Sequence, residues 1–235
     1  MAINFINLSH CYEKHQRMVV LDTETTGLSY ENGDRLIEIG CVEIINNQVT
    51  GKFYQTYINP QRDVSPGSYR VTGIKTQFLY DKPVFNAIAD DLLKFIGNDI
   101  LIIHNANFDI PFLNYELKKS GRHPLTNPVL DTLLVSRELF AGKPCSLDAV
   151  CRRLNIDNTM RSFHGALLDS QILSKVYIML LKIKKNQATI DGVFNEKKTQ
   201  EDAQIIIKRN KISQQLVEIN GWEFHQEFFN HIKNT

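Results

Sequence analysis

An excess of either charge is missing from this sequence: 27 Lys and Arg stand against 26 Asp and Glu, a formal net charge of +1. That balance excludes a broad basic surface of the kind that holds nucleic acid by charge alone, so any polyanion has to be held locally. Long apolar runs are missing too. Stretches such as ILII at 100–103 and IMLL at 178–181 fall far short of the ~20 residues that cross a bilayer, so no membrane span is expected. The opening MAINFINLSHCYEKHQR has no basic start followed by a sustained apolar core, and it reads as neither signal peptide nor anchor. Residues 1–17 are expected to be a flexible, loosely attached extension. Cysteine is scarce: Cys11, Cys41, Cys145 and Cys151 show no paired metal spacing, which argues against a disulfide framework and for reduced thiols in a cytoplasmic protein. What is present is ordinary globular material, 43% hydrophobic and 23% charged, enough for a packed core.

The pattern along the chain is α/β. MVVLDTET at 18–25 is an apolar, β-branched run turning polar at its end, as in a central strand that delivers side chains to a sheet edge. RLIEIGCVEI at 35–44 and KFYQTYI at 52–58, joined through NNQ, predict an antiparallel hairpin, and the Pro- and Gly-containing stretch 60–73 follows as a connection. VFNAIADDLLKFI at 84–96 carries Ile88, Leu92 and Phe95 at helical spacing and predicts a crossover helix. ILIIHN at 100–105 predicts a buried strand, and a helix follows Asp109 with Pro111 near its first turn. PVLD at 128–131, a helix near 132–139 and SLDAVCRRL at 146–154, capped by Ser146, come next. GALLDSQILSKVYIMLLKI at 165–183 sets Leu168, Ile172, Val176 and Met179 on one side of a long helix. Texture then changes to charge and amide with scattered apolar groups, which places a domain boundary near 181.

Between 18 and 181, acids outnumber bases by 18 to 16, which favours a small site with bound cations over unaided capture of a long polyanion. Asp22 and Glu24 are two apart on a predicted strand, so both carboxylates leave one face of the sheet. Asp109 sits at a strand-to-helix junction. Asp169 projects from the long helix, and His164 lies just before its first turn. Singly, each has an ordinary reading: a polar strand end, a helix cap, a packed imidazole, the wet face of a helix. Gathered in one pocket, the four carboxylates would repel one another unless cations compensate, and hard oxygen donors select Mg²⁺ or Mn²⁺.

DTETTG at 22–27, HNANFD at 104–109 and HGALLDS at 164–170, in that order and on matching elements, resemble the three motifs of the DEDD exonuclease superfamily, in its histidine-bearing branch. The resemblance covers about 18–181 and extends to the proofreading 3′–5′ exonucleases of bacterial replicative polymerases. It implies a ribonuclease-H-like fold, a mixed five-stranded sheet of three antiparallel and then two parallel strands flanked by helices. It also implies hydrolysis of the 3′-terminal phosphodiester of single-stranded or mispaired DNA, releasing nucleoside 5′-monophosphates. By the same resemblance, Asp22, Glu24, Asp109 and Asp169 are the metal-binding acids and His164 is the general base. Asp22 would bridge two ions, Glu24 and Asp169 would hold the one carrying the attacking water, and Asp109 would support the second through water. Two such ions stand ~3.5–4 Å apart and neutralise the attacking and leaving oxygens. Thr23, Thr25, Thr26 and Gly27 match the segment that receives the terminal nucleotide, while His104 and Asn105 open the second motif. Asp131 matches a supporting position rather than a direct ligand.

Two departures stand out. Where polymerase-associated members carry a Pro-Glu pair and a Val-His-Gly-Ile run, this chain has Pro66-Gly67 and Val71-Thr72-Gly73-Ile74. The way the terminal nucleotide is positioned is therefore expected to differ, with activity kept. Residues 182–235 carry Ile206, Val217, Trp222, Phe224, Phe228 and Phe229, too many large apolar groups for an idle linker. By resemblance this tail would grasp the catalytic (alpha) subunit of the polymerase, with a sliding clamp contacting Gln187–Phe194 and a small accessory subunit as further partners. The alternative within the class is a stand-alone exonuclease of RNA 3′ ends or short oligonucleotides. A catalytically dead binding module and a hydrolase of free nucleotides are the readings from other classes; an intact set of acids with the histidine argues against the first and the three motifs argue against the second.

Overall fold

The computed structural model describes residues 3–11, 16–159 and 163–187. Its elements are β1 (Arg17–Thr25), β2 (Leu36–Ile45), β3 (Gln48–Tyr57), α1 (Pro66–Thr72), α2 (Thr76–Leu79), α3 (Phe85–Ile96), β4 (Ile100–Ile103), α4 (Ala106–Lys119), β5 (Val129–Asp131), α5 (Thr132–Leu139) and α6 (Leu147–Leu154). A last helix, α7, spans 166–187. The five strands lie in the order β3-β2-β1-β4-β5; β2 is antiparallel to β1 and β3, while β4 is parallel to both β1 and β5. This is the mixed sheet expected, and β1 stands at its centre.

Alternation along β1 divides the core in two. Met18 and Val20 face Val150, Leu173, Val176 and Tyr177, whereas Val19 and Leu21 face Phe85, Leu92, Phe112 and Leu113. Helices α6 and α7 thus cover one face and α3 and α4 the other, each fully buried aliphatic side chain contributing about 1.5–3 kcal/mol. The same alternation continues into the polar end of the strand. Asp22 and Glu24 leave on the α7 face, Thr23 on the α4 face.

Two expectations need correction. Residues 4–11 are not a loose extension: Ile6 N donates to Val129 O at 2.9 Å and Val129 N to Asn4 O at 2.8 Å, adding a short parallel bridge to the β5 edge. Leu8 and Cys11 are buried in the α7-side core, so the apolar positions of this segment are held by the domain. The connection 60–73 contains a helix, α1, because Ser65 caps Ser68 N, Pro66 sits in the first turn and Gly73 ends it at φ +68°. Helix α7 continues past 181 to 187, and Leu181 is buried. The rest of the expected partner-binding tail, 188–235, lies outside the described residues. Among the described residues no helix is long and apolar enough to cross a membrane, and all four cysteines are buried and outside any disulfide.

Candidate active site

The long helix reaches the end of β1 because β2 lets it. A Cβ at Gly40 would lie 2.2 Å from Leu167 N and 2.3 Å from the Ala166 carbonyl carbon, so the first turn of α7 runs against bare strand backbone. Ser170 Oγ donates to Gly40 O at 2.8 Å. Two residues earlier, buried Glu38 takes the helix's first amides: Oε2 accepts from Ala166 N at 3.1 Å, the Leu167 amide also binds the carboxylate, and Gln55 Nε2 donates to Oε1 at 2.7 Å. Burial raises the Glu38 pKa, and these hydrogen bonds oppose the rise. In register, Gly40 pairs with Asp22 and Glu38 with Glu24. The two residues that dock α7 therefore lie directly beside the two acids of β1.

Docked this way, α7 turns Asp169 inward. It is 2% exposed and shares the buried face with Ile172, Leu173, Val176 and Tyr177, so it is not on the wet side of its helix. His164, at the entrance to α7, is held by its amide, which donates to Val71 O at 3.0 Å, and its ring stays partly open. Its Nδ1 faces Asp169 Oδ2 at 3.4 Å. One donor atom from each of Glu24, His164 and Asp169 lies within 4.8 Å of the others. Asp22 lines the same cleft, about 860 Å³ in volume, together with Thr23, Thr25, Gly27 and Asn105.

Asp109 occupies the opposite face. It lies in the first turn of α4 rather than capping it: the cap is Asn105, in the left-handed region at φ +74° with no side-chain cap bond. Asp131 replaces that bond, its carboxylate accepting from Asn105 N and Ala106 N, both at 3.0 Å, and from Leu133 N at 2.8 Å. One carboxylate thus fixes the starts of both α4 and α5, in agreement with a supporting role. Asp109 is 3% exposed and receives Thr23 Oγ1 at 2.7 Å. Burial pushes its pKa up to about 7 against the pull of the Thr23 bond, with the nearby Asp131 charge adding to the rise. It is not among the residues lining the cleft.

The turn after β1 is built from its own hydroxyls. Thr26 Oγ1 donates to Asp34 Oδ1 and Thr25 Oγ1 to Gly27 O, while a Cβ at Gly27 would lie 2.4 Å from Asp34 Oδ2. Thr26 is fully buried and does not line the cleft, so its hydroxyl shapes the turn instead of facing a ligand. His104 lines the cleft with both nitrogens engaged, Nδ1 with Thr132 Oγ1 and Nε2 with Cys145 O, each at 2.9 Å. Phe108 lines the cleft while packing on Phe112 at 5.1 Å between centroids. Thr72, at one of the departures, bonds within α1, donating to Ser68 O and accepting from Ile74 N. Glu38 and Gly40 escaped the reading of the sequence, although a carboxylate and a glycine alternating in the apolar run LIEIGCVEI were its available signal.

Residues 19–177 match the Exonuclease family (RNase T). The chain is 50% identical over 169 residues to the DNA polymerase III subunit epsilon of Rickettsia typhi, covering 70% of this chain and 73% of that protein. It is 40% identical over 235 residues to the corresponding subunit of Rickettsia felis, covering 93% and 98%. A solved structure of Escherichia coli exonuclease I with a dT13 oligonucleotide superposes with a TM-score of 0.64 at 18% identity, covering 76% of this chain and 43% of that one, a likeness of fold. A sheet-end cluster of acids with one imidazole is thus framed by kinship over nearly the whole chain, which belongs to the Exonuclease family and, within it, to the DNA polymerase III epsilon subunits: a 3′–5′ exonuclease.

Proposed function

We propose that this protein removes 3′-terminal nucleotides from single-stranded or mispaired DNA as the proofreading subunit of a replicative polymerase in the cytoplasm. The observation that carries the reading is the meeting of Glu24, His164 and Asp169 within 4.8 Å, beside Asp22, on the wall of one cleft. The donor chemistry fits divalent cations: carboxylate oxygens on three separate backbone positions, no thiolate, and a largely buried setting that would be costly without positive charge. Asp22, Glu24 and Asp169 would hold two Mg²⁺ or Mn²⁺ ions, with Asp109 acting from the α4 side. When bound, such ions neutralise the phosphodiester and make a bound water more acidic.

The remaining work falls to the chain. His164 takes the proton of the attacking water, since an imidazole can accept a proton near neutral pH and this ring is open to the cleft on one side. Asp169 orients it through Nδ1. Thr23 holds Asp109, while Thr25, Gly27 and Asn105 line the place of the terminal nucleotide. Residues 182–235 provide the contact with the polymerase catalytic subunit, a sliding clamp and a small accessory subunit.

Matched 3′-labelled DNA and RNA oligomers incubated with Mg²⁺ or Mn²⁺, with Asp22→Ala as background, test the activity. The expected products are 5′-mononucleotides released stepwise from DNA; a strong preference for RNA would favour the stand-alone RNA exonuclease instead. Ending the chain after 187 is expected to preserve hydrolysis of single-stranded DNA and to abolish co-purification with the polymerase.

A further inference from the structure

A strand entering the cleft brings one phosphate per nucleotide, yet the wall that receives it is acidic. Asp22, Glu24, Asp34, Asp148 and Asp169 line the cleft, with no lysine or arginine among the described lining residues. Bound cations offset charge at the scissile linkage, but phosphates farther along the strand would still face those carboxylates.

Helix α1 sets a cation at the mouth. Arg70 is exposed in its last turn, and among the described residues its guanidinium has no hydrogen-bond or ion-pair partner. It reaches back over Gly67, one turn earlier on the same helix face, and Gly67 lines the cleft. A Cβ at Gly67 would sit 3.9 Å from Arg70 Nη2 and 3.7 Å from Ser65 Oγ, ordinary contact distances. No side chain at position 67 therefore separates the guanidinium from the rim. Arg62, by contrast, is engaged by Asp34 at 3.3 Å.

We propose that Arg70 binds a phosphate of the entering strand upstream of the scissile linkage, and that the bare backbone at Gly67 keeps its charge available for this. The inference rests on the exonuclease reading and adds a positioning residue to it. A guanidinium fork matches two phosphate oxygens and carries no base information, so the contact is sequence-independent. A carboxylate at 67 would pair with Arg70 at i, i+3 and cancel it.

The test compares KM and kcat of the full-length wild type, Arg70→Ala and Arg70→Lys on a 3′-labelled DNA oligomer and on a dinucleotide, which has a single phosphodiester, over a series of KCl concentrations. Arg70→Ala is expected to raise the oligomer KM about 3–10-fold with little change in kcat and to lower the salt slope of log KM by ~0.7, the value for one single-strand phosphate. Arg70→Lys restores most of the loss, and the KM penalty shrinks on the dinucleotide, which has no upstream phosphate. Gly67→Glu raises the oligomer KM in the wild-type background and adds little to Arg70→Ala. An unchanged oligomer KM, or an equal penalty on the dinucleotide, would overturn the assignment while wild-type hydrolysis left the exonuclease reading standing. Wild type degrading neither substrate would sink both.

Discussion

Glu38 caps, from the neighbouring strand, the helix that carries Asp169: its carboxylate accepts Ala166 N at 3.1 Å, three residues before the aspartate. Gly40, the next residue on the same face of β2, clears the space into which that helix fits. Asp169 is thus positioned by β2, and its distance from Asp22 and Glu24 is set by sheet register more than by loop geometry.

Gly40→Ala would force its new methyl group against the Leu167 amide and the Ala166 carbonyl, backbone that cannot rotate away. Overpacking of this kind costs about 1–3 kcal/mol. Displacing Asp169 by ~1 Å would lower turnover by ~10²-fold. Thermal melts and oligonucleotide hydrolysis on the same preparation check both; wild-type turnover would show that the close approach is not needed.

The buried carboxyl of Asp109 has a folded-state pKa of about 7, above the ~3.9 of an unfolded aspartate. Between those values the folded protein holds a proton that the unfolded chain has lost, so metal-free stability falls as pH rises through this window and the penalty levels off above it. Asp109→Asn keeps the acceptor for Thr23 Oγ1 and removes the titration. In chelator its melting temperature is expected to exceed that of wild type by roughly 2–8 °C at pH 8 and to converge with it towards pH 5. A difference independent of pH would contradict the burial effect.

Deleting residues 1–11 uncovers the β5 edge and removes Leu8 and Cys11 from the core. The expected loss is about 2–4 kcal/mol, read as a fall of several degrees in the melting temperature. An unaltered melt would restore the view of this segment as a dispensable extension.

Much of this was legible in the sequence, and the gaps have physical causes. The central strand and the hairpin after it are legible in a β-branched run ending in DTET and the two runs that follow, the full mixed sheet is what the family resemblance implies, and Ser146 caps its helix as its residue type predicts. Of the stripe through Leu168, Ile172, Val176 and Met179, Ile172 and Val176 are buried and the other two half-buried; the buried face also takes in Asp169, Leu173, Tyr177 and Leu180, and the carboxylate in it interrupts the apolar pattern from which the stripe is read. Asp109 appeared as a cap because Asp favours helix starts, whereas an asparagine in the left-handed region and a distant Asp131 do that work. The docking of α7 by Glu38 and Gly40 spans more than 120 positions and leaves no local periodicity to read.

In the proposed mechanism Asp22, Glu24 and Asp169 hold divalent cations beside an imidazole that moves the proton. Calorimetric titration of Mn²⁺ into wild type, Asp22→Ala and His164→Ala, paired with hydrolysis rates, separates those roles. Asp22→Ala is expected to lose both affinity and activity, whereas His164→Ala keeps much of its affinity while turnover falls by ~10²–10⁴-fold. Equal loss of ion binding in the two variants would contradict it.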